Sequence, residues 1–193
     1  MAEPFLCTMG GSPAGTVGSG KGEEMKAFIA GLVLGAGLLS GGIIFYFTSG
    51  RAPVAVADPP MPFEKLIAHG ALHARIEKEA VRDPPIAPDE PNLTAGVAVY
   101  VENCSVCHGL PGKPRTSIAM GLYPAAPALF EGTGVTDDPP SETYWKASNG
   151  IRLTGMPGFR GRLTDTQLWQ VSQLLAHANA LPEGAKKALA SAP

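Results

Sequence analysis

Apolar residues fall in runs of very different character along this chain. From Ala27 to Thr48 (AFIAGLVLGAGLLSGGIIFYFT) no charge interrupts them. At about 1.5 Å of rise per residue, a helix of that length crosses the roughly 30 Å hydrocarbon layer of a bilayer. Residues 25–50 are therefore expected to form a transmembrane helix, with Tyr46 and Phe47 at its far end as an aromatic interfacial belt. Over 63–80 the pattern changes. Phe63, Leu66, Ile67, Leu72 and Ile76 recur near helical spacing among charged residues, which predicts a short amphipathic helix. Pro53, Pro59, Pro60 and Pro62 before it and the proline-rich run 83–91 after it make 51–91 a stiff linker. Further on, Asn92 can cap a helix from Leu93 toward Cys104, and residues 141–148 read as another. Thr164 and Gln167 then form a capping box before Leu168, Trp169, Val171, Leu174 and Leu175. The class is all-α. Its parts are a leader at 1–24, the anchor at 25–50, the linker at 51–91, a compact domain at 92–180 and a tail at 181–193.

Composition narrows what that domain can be. The formal charge is −2 over 193 residues, and within 92–180 acids and bases balance, so there is no basic stripe for nucleic acid. A domain of roughly 90 residues buries little apolar surface, and domains of that size commonly lean on a disulfide, a metal or another embedded body. The three cysteines do not make a disulfide framework. Cys7 lies upstream of the hydrophobic segment, where it faces the cytoplasm and has no expected role. Cys104 and Cys107 sit three positions apart beside His108.

Other features have competing readings. Ala55-Val56-Ala57 before Asp58 resembles a signal-cleavage site, but the apolar run is longer than the 7–15 residues usual in a secretory signal, which favours a retained anchor. Either way, the chain after residue 50 lies outside the cytoplasm. Gly31 with Gly35 and Gly37 with Gly41 would let two such helices pack as a homodimer, and the general frequency of glycine in membrane helices explains the same pattern. Residues 15–22 imitate a phosphate-binding loop, but Gly22 stands where a hydroxyl should hold Mg²⁺, and no strand precedes them. Met25 is an alternative start to the chain. His69 and His73, at i and i+4, could hold a metal or offer a ligand; ordinary surface histidine is the plainer reading.

Cys104-Ser105-Val106-Cys107-His108 is the strongest signal in the chain, because it has the pattern of covalent c-type haem attachment. Two thiols one helical turn apart can add to the two vinyl groups of a porphyrin, and the adjacent imidazole can turn toward the iron. A redox dithiol would need a βαβ context, and a structural zinc site would need a fourth ligand. For the second axial position Met156 is the candidate, in Thr154-Gly155-Met156-Pro157-Gly158-Phe159, where glycine and proline can hold an irregular loop over a flat ring. Met120 lies only twelve positions past His108, in a short apolar helical stretch, and is the weaker choice.

With these residues in place, the region 92–180 resembles the small class I cytochrome c family, a domain of three to five helices around one haem. Gly96 and Tyr100 stand as in the family's first helix, and the helix from Thr164 is similar to its last, with Leu174 where an aromatic is frequent. Tyr123-Pro124-Ala125-Ala126-Pro127 resembles the loop whose carbonyl orients the histidine, with Pro127 the preferred carbonyl. Trp145 and Arg152 could donate to haem propionates, and Trp145 reads equally well as core. The resemblance implies one covalent haem c, ligated by His108 and Met156. It also implies an electron carrier on the outer face of the cytoplasmic membrane, facing the periplasm or cell exterior, with a respiratory complex, oxidase or dehydrogenase as partner. Lys113, Arg115, Arg160 and Arg162 follow the ligand motifs and would form a basic docking rim, or simply solvated surface. The rival readings are a haem subunit of a larger oxidoreductase complex, and a peroxidase or gas sensor with a labile Met156.

Overall fold

The computed structural model describes residues 20–81, 83–131 and 138–193. Cys7 and most of the phosphate-loop imitation lie outside these residues, as do Arg82 and Asp137. The chain divides into two units, Met1–Pro53 and Val54–Pro193.

The first unit is helix α1, Gly20–Thr48. It begins inside what the sequence suggested was leader, because Gly20 to Lys26 continue the helix without a breaker. It is long and apolar enough to cross a membrane by length and composition, and a signal sequence passes the same test.

Among the described residues of the second unit the regular elements are all helices, joined by loops, with one isolated bridge between Arg160 and Leu163. Helix α2 spans Glu64–Glu79, close to the expected 63–80. It does not stand in a bare linker, because its Ile76 is 4% exposed and the chain from Val54 onward belongs to the same compact unit as the domain. Of the expected stripe, Phe63, Leu66 and Ile67 are exposed.

Helix α3, Glu90–Asn103, starts three residues before the expected Leu93 helix. Asp89 is its cap, accepting from Asn92 N at 3.0 Å, and Pro91 occupies the first turn, where the missing N–H costs nothing. Asn92 has a different task, since its side chain accepts from Gln170 Nε2 at 3.2 Å and so ties α3 to a later helix. That helix is α7, Asp165–Ala176, with the expected Thr164–Gln167 capping box in place. The two cross at Gly96, where any Cβ would strike Gln170 O and come within 3.1 Å of Leu174 Cβ. Leucine rather than an aromatic at 174 suits so close a crossing.

The short helices α4 (Ser105–His108) and α5 (Ser117–Met120) follow α3, and α6 (Pro140–Asn149) packs on α7, where Tyr144 stacks on Trp169 at 4.2 Å. Residues 181–193 are not a loose tail. They form α8, Glu183–Ala190, which buries Leu181, Ala185 and Leu189 in the core with Leu93, Val97, Tyr100, Val171, Leu174 and Leu175. Glu90 of α3 accepts from Gly184 N at 2.8 Å in the first turn of α8. Lys113 donates to Ala192 O, which joins the chain end to the loop after the cysteine motif.

Candidate functional site

Cys104 is the hinge between α3 and α4, and α4 carries Cys107 and His108 on one short turn. Three backbone bonds hold that turn: Cys107 N and His108 N both donate to Cys104 O, at 3.1 and 3.0 Å, and Gly109 N donates to Ser105 O at 2.8 Å. Tyr100, fully buried, donates to Gly109 O at 2.7 Å and meets Phe130 edge-on at 4.9 Å, which links the motif to the core. Burial, aided by the neighbouring Cys107, pushes the Cys104 thiol up to about 12. A dithiol that exchanges disulfides needs a depressed thiol, which this environment does not supply.

The His108 ring is held by Pro127, with Nδ1 2.8 Å from Pro127 O. With Nδ1–H donating to that carbonyl, Nε2 is the nitrogen left to face a metal. Burial lowers the affinity of His108 for a second proton, the Pro127 bond opposes this, and the Arg115 charge adds to the lowering. The imidazole is kept neutral, the form that ligates. Arg115 donates to Ala126 O, which braces the same loop.

Met156 sits in a loop fastened to the end of α6. Ile151 N donates to Met156 O at 3.2 Å, Met156 N to Thr154 Oγ1 at 3.1 Å, and Phe159 N to Ala147 O at 2.9 Å. Gly150 has φ +69, and a Cβ there would come within 2.5 Å of Gly158 N, so only glycine lets the loop lie on the helix end. Gly155 packs against Leu122, with no room for a Cβ, so the methionine loop abuts the segment that leads to Pro127.

Several large apolar side chains around these motifs have no protein cover. Val106, Ile118, Met120, Tyr123 and Leu153 are exposed, and Leu153 is 93% exposed with φ 61, an uncommon backbone state for leucine. Among the described residues, no group of three or more His, Cys, Asp or Glu side chains is placed to hold a metal ion. Two thiols on one turn beside an oriented imidazole are what covalent haem attachment requires, and the methionine loop and exposed apolar side chains are compatible with a bound ring.

The remaining candidates have other surroundings. Trp145 Nε1 donates to Glu79 Oε2 of α2 at 3.2 Å, so its donor is engaged within the protein. Arg152 is exposed. Of the basic rim, Arg160 bonds Ser148 Oγ at 3.1 Å, and Lys113 and Arg115 bond carbonyls, all neutral acceptors. His69 and His73 are both exposed on α2. The pairing of Glu79 with Trp145, and of Glu64 Oε1 with Tyr123 OH at 3.2 Å, had no signal in the sequence.

The fold and these motifs define a cytochrome c domain, the class that carries haem for electron transfer. Residues 91–175, somewhat under half of the chain, match the family described as cytochrome c oxidase, cbb3-type, subunit III, and this part of the chain is a cytochrome c domain of that type. The family implies a covalent haem c. Comparison with curated proteins found no match.

Proposed function

We propose that this chain is a membrane-tethered monohaem cytochrome that passes single electrons, with haem joined to Cys104 and Cys107 and ligated by His108 and Met156. The observation that carries the reading is the His108–Pro127 hydrogen bond of 2.8 Å, which orients an imidazole directly after two thiols on one turn. When bound, the haem supplies an iron that alternates between ferrous and ferric states, and a thioether ligand favours the ferrous one. Pro127 O holds the His108 ring and raises its basicity. Thr154 and the backbone at Gly150 and Gly158 hold Met156 in its loop. Val106, Ile118 and Leu153 give the ring apolar walls that exclude water. Held by His108 and Met156 together, the iron would have no open position for a substrate, and the work would reduce to electron transfer.

Attachment of this kind belongs outside the cytoplasm, which puts the domain on the periplasmic or outer face, and the length of the apolar run makes α1 a retained single-pass anchor rather than a cleaved signal. The name of the matching family favours one version of this role, a haem subunit that hands electrons to a respiratory oxidase, over a free carrier. Mass spectrometry should find one added haem on the native chain, and a pyridine haemochrome assay should give the spectrum of a doubly thioether-linked haem. A Met156→Ala variant should lose the sulfur-to-iron absorption band, while Met120→Ala keeps it. A chain without haem mass refutes the reading, and a reversed methionine result refutes the ligand set. Co-purification from membranes with oxidase subunits would distinguish the subunit from the carrier.

A further inference from the structure

Helix α2 is two-sided. Toward the domain it presents Glu64, bonded to Tyr123 OH at 3.2 Å, Ile76 at 4% exposure, and Glu79, bonded to Trp145 Nε1 at 3.2 Å. At 3.6 residues per turn these three span an arc of about 120°, so that side of the helix is spoken for. Tyr123 precedes the loop that holds His108, and Trp145 lies on the helix that leads to Met156, so the haem-binding loops lie on this side too. The opposite side carries Phe63, Leu66 and Ile67, exposed by 73, 72 and 68%. Gly70 continues it, with open space where a Cβ would stand. Adjacent large apolar side chains on a face turned away from both the core and the haem loops mark an interaction site rather than scattered surface residues.

Connectivity selects the occupant. Residues 49–63 are all that separates the end of α1 from the start of α2. Even fully extended, that stretch reaches only about 50 Å. A face confined so close to a bilayer meets lipid at high effective concentration at all times, whereas any partner protein, soluble or membrane-bound, must arrive by diffusion. The acids of α2 (Glu64, Glu77, Glu79) equal its bases (Lys65, Arg75, Lys78), so its attraction is apolar and needs no anionic headgroup.

We propose that Phe63, Leu66 and Ile67 seat α2 in the lipid interface and so hold the haem domain down on the bilayer. This rests on the reading of α1 as a retained anchor. The test uses the full haem-loaded chain in phosphatidylcholine vesicles, with Cys7→Ser and one fluorophore on either Leu66→Cys or Lys186→Cys, Lys186 being an exposed site on α8. Brominated lipid should quench the label at 66 about threefold more than the label at 186, and aqueous iodide should show the reverse order. Adding Phe63→Ser and Ile67→Ser should abolish the difference while the haem spectrum stays unchanged. Equal iodide access at both positions overturns the proposal. So does a label at 66 shielded from iodide and brominated lipid alike, which would mean a protein occupant. An alkaline carbonate wash separates the two failures: release of the chain removes the anchor and the proposal together, whereas retention with an iodide-exposed residue 66 removes the proposal alone.

Discussion

The α3–α7–α8 core and the two ligand loops achieve order in opposite ways. The core is held by side chains: Leu93, Val97, Val171, Leu174, Leu181 and Leu189 bury one another, and Gly96 lets two backbones close together. The loops are held by backbone. Gly150 and Gly158 pack main chain on main chain, carbonyls of Pro127 and Ala126 are gripped by His108 and Arg115, and the nearby apolar side chains Val106 and Leu153 lie open. One region is complete within the protein. The other is shaped for a partner surface that the amino acids do not provide.

A single added methyl can test that contrast in each region. The largest effect is expected from Gly150→Ala, because its backbone state is nearly restricted to glycine, costing about 1–3 kcal/mol, and its Cβ would also meet Gly158 N at 2.5 Å. The methionine band in the absorption spectrum should disappear while covalent haem remains. Gly96→Ala comes next. It should lower stability by about 1–3 kcal/mol through overpacking at the helix crossing, read as an earlier thermal transition with the methionine band intact. If Gly96→Ala removes the band without shifting the transition, the two regions are not separable. Tyr100→Phe strands Gly109 O and should cost about 1–1.5 kcal/mol by chemical denaturation, with a small change in haem spectrum because that carbonyl borders the motif. The smallest effect, about 1 kcal/mol, is expected from Thr164→Ala, which deletes one half of the capping box and leaves the loops untouched.

Local chemistry was readable in advance and long-range pairing was not. The cysteine–histidine motif, the glycine and proline around Met156 and the box at Thr164 all act within a few residues, so the sequence displays them. Asp89 was legible as a cap, since aspartate just before Glu90-Pro91 is a helix-start signal, but Asn92 has the same capping chemistry and stood closer to the first apolar residue. The Leu181, Ala185, Leu189 spacing of α8 was also present, hidden by a segment short and rich enough in alanine to look like a tail. For α2 the helix was legible but not how it would sit, because Ile76 turns inward while Phe63, Leu66 and Ile67 of the expected stripe stay exposed. Spacing gives an apolar face, while the acidic residues Glu64 and Glu79, through Tyr123 and Trp145, decide which face turns inward.

The order of elements has a consequence for biogenesis. Helix α3 precedes the cysteine motif, while α7 and α8, which complete its packing, follow the motif far along the chain. The core cannot close on a nascent polypeptide until everything from residue 104 to the C-terminal region has emerged. Haem added before that closure would meet thiols on an open chain, and closure would then enclose the ring.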